Sequence, residues 1–291
     1  MAAAEAKDEK VRLNYFQWKP EFDKVKPYEL LVNVPDNFPT RNFTFNPGEV
    51  EIIHDMRGKE ASFSLDRHGL CVRNDPLAIT ILDKQTVENQ YLPGVDKLIR
   101  RVLEDVAEVF FFDWRLRTSD SKKVESSQEG EYLDLADQTK HLLPAEAVHI
   151  DQSPWSAHQR VRYHMKERAN ELLPRRFRII NIWRPTGHPV EDYPLAVCDA
   201  SSLQGSRLIA ADHIRRDYQG ESYYPLYAPG YEWYYLSHQT PDEVLLFKTY
   251  DLNPSGEAVG CPHTSFKSPH ASQAAMPRES IEVRALVFSG E

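Results

Sequence analysis

Two residues apart in the run "AVHIDQSPW", His149 and Asp151 put an imidazole and a carboxylate where both can act at one point. In an extended chain, side chains i and i+2 project from the same face, so the pair stands together and Ile150 points away. Such a pair suits a metal chelate, a catalytic pair or a buried hydrogen-bonded pair. A metal needs a third ligand from elsewhere, and the candidate is His263 in "CPHTSF", at the start of a predicted strand. Two histidines and one carboxylate on one face form the facial triad of non-haem Fe(II) oxygenases, whose open positions admit O2 and a co-substrate. Zinc accepts the same ligands but has no redox chemistry.

The run "PRESIEVRALVF" sets Arg278, Ser280, Glu282 and Arg284 on one face of another predicted strand. A guanidinium forks onto a carboxylate through two parallel hydrogen bonds, and a hydroxyl two residues later adds a third donor. Arg278 with Ser280 is the expected holder of the distal carboxylate of 2-oxoglutarate, with Arg284 as the alternative on the same face. In "NIWRP", Asn181 and Trp183 share a face and are expected to flank the co-substrate, although Trp183 also suits a plain core position. Arg184 points the other way in a regular strand.

The elements that must position these groups come from a chain of 291 residues with a formal charge of −9 and 41% hydrophobic residues. That is enough apolar material for one large domain. The acidic balance argues against a nucleic-acid partner. No signal-peptide core and no stretch of membrane-spanning length is visible, so the expectation is a cytoplasmic protein without a membrane partner. Cys71, Cys198 and Cys261 lack CxxC spacing and read as reduced thiols. Residues 1–40 look like a surface wrap. "GVDKLIRRVLEDVAEV" has helical spacing up to about Val106, and "EVFFFDWRLRT" reads as a buried strand. "AVHIDQS" is a short strand entering a loop, followed by a helix over "AHQRVRYHMKERANELL". Many short β-rich runs follow without a βα rhythm, which indicates a sandwich or barrel. The expected fold is mainly β with α additions. Its core is a double-stranded β-helix (jelly roll) over 141–291, with an N-terminal α/β shell and loop over 1–140, all in one domain.

His-x-Asp, a late histidine and Arg-x-Ser, in this order, resemble the Fe(II)/2-oxoglutarate dioxygenases. More closely, "EVEIIHDMRGKEASFSLDRHG", "VFFFDWRLR", "VHIDQSP", "IINIWRPTGHPVEDYPLAVCDASS", "YYLSHQTPDEVLLFKTYD" and "PRESIEVRALVF" are similar to the fungal AsaB hydroxylase/desaturase family. That family is related to gibberellin desaturase and to a protein of cephalosporin methoxylation. The resemblance runs from about residue 50 to the end. It implies Fe(II) held by His149, Asp151 and His263, with 2-oxoglutarate on Arg278 and O2 as oxidant. It further implies hydroxylation or desaturation of a small metabolite, in fungal secondary metabolism, with release of succinate and CO2. The stretch "NPSGEAVGC" before His263 is a local difference from the family. Two rival functions are an iron oxygenase that uses no keto acid and a non-catalytic partner subunit of a biosynthetic enzyme. Homo-oligomerisation is open. Substrate choice is expected in the polar run 118–140, which includes a candidate lid, and in the aromatic run Tyr223–Tyr235.

Overall fold

A computed structural model describes every residue except 1–6, 33, 36, 80–82, 127–136, 204, 253–259 and 291. Its strands are β1 (Glu9–Phe16), β2 (Tyr28–Leu30), β3 (Phe45–Asp55), β4 (Leu70–Asn74), β5 (Val106–Thr118), β6 (Phe177–Pro185) and β7 (Leu195–Cys198). They continue with β8 (Leu208–Ile214), β9 (Gln219–Pro225), β10 (Trp233–Tyr235), β11 (Glu243–Asp251), β12 (His263–Ser265) and β13 (Glu279–Ser289). One five-stranded sheet has the order β1-β3-β10-β7-β12, a second β4-β11-β6-β13-β5, and a three-stranded sheet β2-β8-β9. The protein is mainly β.

Position in the sheet explains the sequence of each strand. β6 is the middle strand of the second sheet, and its mostly apolar text "FRIINIW", broken only by Arg178 and Asn181, matches burial at every position. The two five-stranded sheets share a core in which Trp183, Leu245 and Phe247 of the second meet Leu195 and Val197 of the first. Behind the second sheet, the helix Leu92–Val102 lays Val95, Leu98 and Ile99 on Leu246, Ile281 and Val283. Leu246 is fully buried there. Leu246→Ala should cost about 2–5 kcal/mol of stability, read from denaturant unfolding, because the sheet cannot collapse onto the cavity.

Three expectations about elements need adjusting. The helix ends at Val102, not Val106, because Leu103 is extended and Asp105 turns the chain at φ 54 into β5. Residues 1–40 do not merely wrap the surface: Leu13 and Tyr15 carry β1 into the interior, and residues up to 140 supply strands to both large sheets. The apolar alternation in "VRLNYF" was short and flanked by charge, which masked it. "AVHIDQS" is extended but pairs only through isolated bridges: Ala147 with Asn14, His149 with His263, and Ile150 with Tyr223.

Candidate metal and co-substrate site

The bridge between His149 and His263 is the core of the site. Each amide donates to the other residue's carbonyl, at 3.2 and 2.9 Å, so the two side chains are cross-strand neighbours with ring centroids 4.2 Å apart. Val148 and Ile150, the alternate residues, are buried in the opposite direction. Gly260 lets the chain reach β12: a Cβ there would meet the Thr249 carbonyl oxygen at 2.8 Å. On the other side, Ser153 caps the helix Pro154–Met165 by accepting from Ser156 N at 3.1 Å, with proline in the first turn. This cap fixes the chain just after Asp151, whose carbonyl also accepts from Ser222 Oγ.

His149, Asp151 and His263 each offer a ligand atom, and these atoms lie within 4.8 Å of one another. The tautomers are set by the backbone. His149 Nδ1 donates to the Ala147 carbonyl at 2.7 Å and His263 Nδ1 to the Cys261 carbonyl at 3.2 Å, leaving Nε2 of each bare. Burial, with His149 alongside, pushes His263 down to about 3, so its ring is neutral at any ordinary pH. Burial alone would raise Asp151, but the Arg284 guanidinium beside it holds its carboxyl well below the usual range. A neutral His263 and an ionised Asp151 are in the states that a divalent cation requires of its ligands.

The polar face of β13 supplies the rest. Arg284 packs against Asp151 (Nε to Oδ2, 3.0 Å), Asp113 (3.0 Å) and Glu282 (2.6 Å). Asn181 donates from Nδ2 to Asp151 Oδ2 at 2.7 Å. Arg278 is fully buried, and among the described residues its guanidinium donates only from Nη1, to the Tyr193 carbonyl and Ser265 Oγ, leaving Nε and Nη2 without a partner. The buried Ser280 hydroxyl likewise has no partner among the described residues. One cavity joins Arg278 and Arg284 to the histidines, lined by His149, His263, Trp183, Ser265, Arg278 and Arg284 among others. The Trp183 ring lies beneath Arg278, 5.7 Å from its guanidinium.

Of the eight residues expected from the sequence, His149, His263, Trp183, Arg278 and Arg284 line one cavity, and Arg284 and Asn181 contact Asp151 instead of standing free. Arg184 does not join them: it is held by Asp75 beneath Tyr91. In the aromatic run, Tyr224 packs with Phe16, Phe43 and Phe45, and Trp233 and Tyr235 are core, whereas Tyr227 is exposed. Of the polar run 118–140, residues 127–136 lie outside the described residues, as do 253–259 of "NPSGEAVGC". Sequence reasoning missed Asp113, Arg115 and Arg117 of β5, opposite Arg284, Glu282 and Ser280 in register. The signal was the spacing in "DWRLR", three charges at i, i+2 and i+4.

Comparison with known proteins agrees with this geometry. A family model described as "YDMC: Oxidoreductase/YMDC permease-like domain" matches residues 13–288. Among the described residues no helix is long and apolar enough to cross a membrane. The chain is 33% identical over 249 residues to the hydroxylase/desaturase efuI of Hormonema carpetanum, covering 81% of this chain and 82% of that one. It is 33% identical over 262 residues to the Fe(II)/2-oxoglutarate-dependent dioxygenase nvfI of Aspergillus novofumigatus, covering 86% of each. A solved structure of the iron and alpha-ketoglutarate-dependent endoperoxidase NvfI superposes with a TM-score of 0.80 at 30% identity, over 98% of this chain and 99% of that one. The chain belongs to the fungal hydroxylase/desaturase family of Fe(II)/2-oxoglutarate-dependent oxygenases.

Proposed function

We propose that this enzyme hydroxylates or desaturates a small organic metabolite, using Fe(II), 2-oxoglutarate and O2 and releasing succinate and CO2. The iron ligands are His149 and His263, through Nε2, and the Asp151 carboxylate. Arg278 and Ser280 hold the distal carboxylate of 2-oxoglutarate, with Trp183 as the wall beside it. The observation that carries this reading is the set of donors unsatisfied among the described residues: Nε and Nη2 of Arg278, which lines the histidine cavity, and the hydroxyl of Ser280 two residues on. Buried donors are rarely left open without a ligand to take them. Iron with 2-oxoglutarate and O2 supplies an oxidant able to remove hydrogen from an unactivated carbon. The protein's own part is geometric: it holds three ligands on one face, orients the keto acid and keeps the cavity walls apolar at Trp183 and Leu195.

The same reading makes residues 1–291 a single domain with a double-stranded β-helix at its centre, supported by two large sheets that share one core. It places the protein in the cytoplasm, supported by cysteines that are buried singly. Anaerobic addition of Fe(II) and 2-oxoglutarate should produce the weak visible metal-to-ligand charge-transfer band, and turnover should yield succinate. Oxidation of substrate without any dependence on 2-oxoglutarate would overturn the proposal in favour of an iron oxygenase that uses no keto acid.

Arg284 and Asn181 act on the metal through Asp151. Partners that orient a ligand are worth about ten- to a hundredfold in metal affinity. Arg284→Lys and Asn181→Ala should each weaken iron binding by that factor, with an unchanged KM for 2-oxoglutarate at saturating iron. The opposite pattern in Arg284→Lys would transfer the keto-acid anchor to Arg284.

A further inference from the structure

Past Asp151 the cationic face continues into a region that the iron and 2-oxoglutarate do not occupy. Arg160 stands on the helix Pro154–Met165, its guanidinium 4.0 Å from the Tyr218 ring centre and 5.2 Å from that of Phe112. Among the described residues its Nε is buried without a partner, as are the Tyr218 hydroxyl and His164 Nε2. His164, one turn along the same helix, lies 5.6 and 5.4 Å from the rings of Phe110 and Phe112. Burial beside Arg160 pushes it down to about 4, so it adds polarity without charge.

Arg215 opens the turn between β8 and β9, tied to Tyr218 by a backbone hydrogen bond at 2.9 Å. Burial, then the charges of Arg160 and Arg115, lower it to about 10. Burial lowers Arg160 too, with Arg284 adding to the effect. The nearby carboxylates are already committed: Arg284 bridges Asp113 to Asp151, and Asp113 also takes Arg115 and Gln138. Two guanidiniums therefore repel each other beside aromatic rings, in a chain whose overall charge is −9, with no anion paired to them among the described residues. A bound oxyanion removes that repulsion and satisfies the open donors.

We infer that Arg160 and Arg215, framed by Phe112 and Tyr218, form the subsite for an oxyanion group on the organic substrate, a carboxylate or a phosphate carried by a flat apolar body. The register shift between Arg284 and Ala285 in the β5–β13 pairing helps build it. At that bulge Phe112 joins the helix side while Trp114 stays in the core behind the sheet. The inference rests on oxidation taking place at the His149–Asp151–His263 side, since that fixes which molecule the subsite serves.

Equilibrium dialysis of benzoate, phenyl phosphate and benzamide against the full chain reads the subsite directly. Saturating Mn(II) and 2-oxoglutarate occupy the other carboxylate site. At least one anion should bind ten times or more tighter than neutral benzamide. The Arg160→Gln/Arg215→Gln protein should lose about ten- to a hundredfold in anion affinity, the scale of one charge-assisted hydrogen bond, with unchanged affinity for 2-oxoglutarate. Arg160→Lys/Arg215→Lys should keep part of the preference. If the double glutamine protein does not fold, Arg215→Gln alone, in a turn, should show about a tenfold loss. Equal binding of benzamide, or anion binding untouched by these changes, overturns the inference. Failure of 2-oxoglutarate to bind, with the arginine-dependent anion preference intact, instead overturns the co-substrate assignment and leaves the subsite standing.

Discussion

A His263→Ala protein should fold, bind no stoichiometric iron and lose at least about a thousandfold in turnover. Outer partners of metal ligands are already worth ten- to a hundredfold, so a direct ligand must exceed that. The fold should survive because the ring removed is neutral and leaves no buried charge behind. The backbone pairing of residue 263 with His149 also persists, since it uses main-chain atoms. Iron content after reconstitution, beside a circular-dichroism melting curve, measures both parts. A folded His263→Ala protein with full iron and full turnover removes the triad.

Arg278→Lys should raise the KM for 2-oxoglutarate by about ten- to a hundredfold with a smaller effect on kcat, the loss expected for a charge-assisted bond and its planar fork. A second cause acts in the same direction. Burial, helped by Arg117, brings the Arg278 guanidinium down to about 9. A lysine ammonium starts about two units lower than a guanidinium, so the same cavity drives it toward the neutral amine, which attracts a carboxylate far less. The lysine protein should therefore recover affinity as the pH is lowered, whereas a simple loss of geometry raises KM equally at every pH. Initial rates against 2-oxoglutarate at several pH values separate the two causes. An unchanged KM at every pH eliminates Arg278 as the anchor.

The site was legible in the sequence where its residues alternate along one strand. His149 with Asp151, Asn181 with Trp183, and Arg278 with Ser280 and Arg284 follow the strand period, and in the structure His149, Trp183, Arg278 and Arg284 line one cavity while Asn181 and Arg284 contact Asp151. What the period cannot show is which neighbour a side chain meets across the sheet. Arg284 looked like a free cation until β5 brought Asp113 opposite it. Nothing in the helical text around Arg160 marks it, because its relation to Tyr218 depends on a turn distant in sequence. The β-rich reading of the C-terminal half came from short apolar runs between turns. The contribution of β1 was hidden because it needs β3 beside it before its alternation has a meaning.

The reciprocal hydrogen bonds between His149 and His263 also bear on how the protein waits for its metal. Main-chain pairing sets the spacing of the two rings before any cation arrives, so binding has little conformational entropy left to remove. Metal-free protein should then protect both amides from hydrogen exchange almost as well as loaded protein does, and iron should enter at a rate limited by access to the cavity, not by folding. Because the two histidines are far apart in the chain, their pairing requires closure of a long loop, the kind of contact that slows folding. A chain in which β12 has not yet paired should therefore bind iron less firmly than the folded protein, which stopped-flow mixing of iron with refolding chains would read.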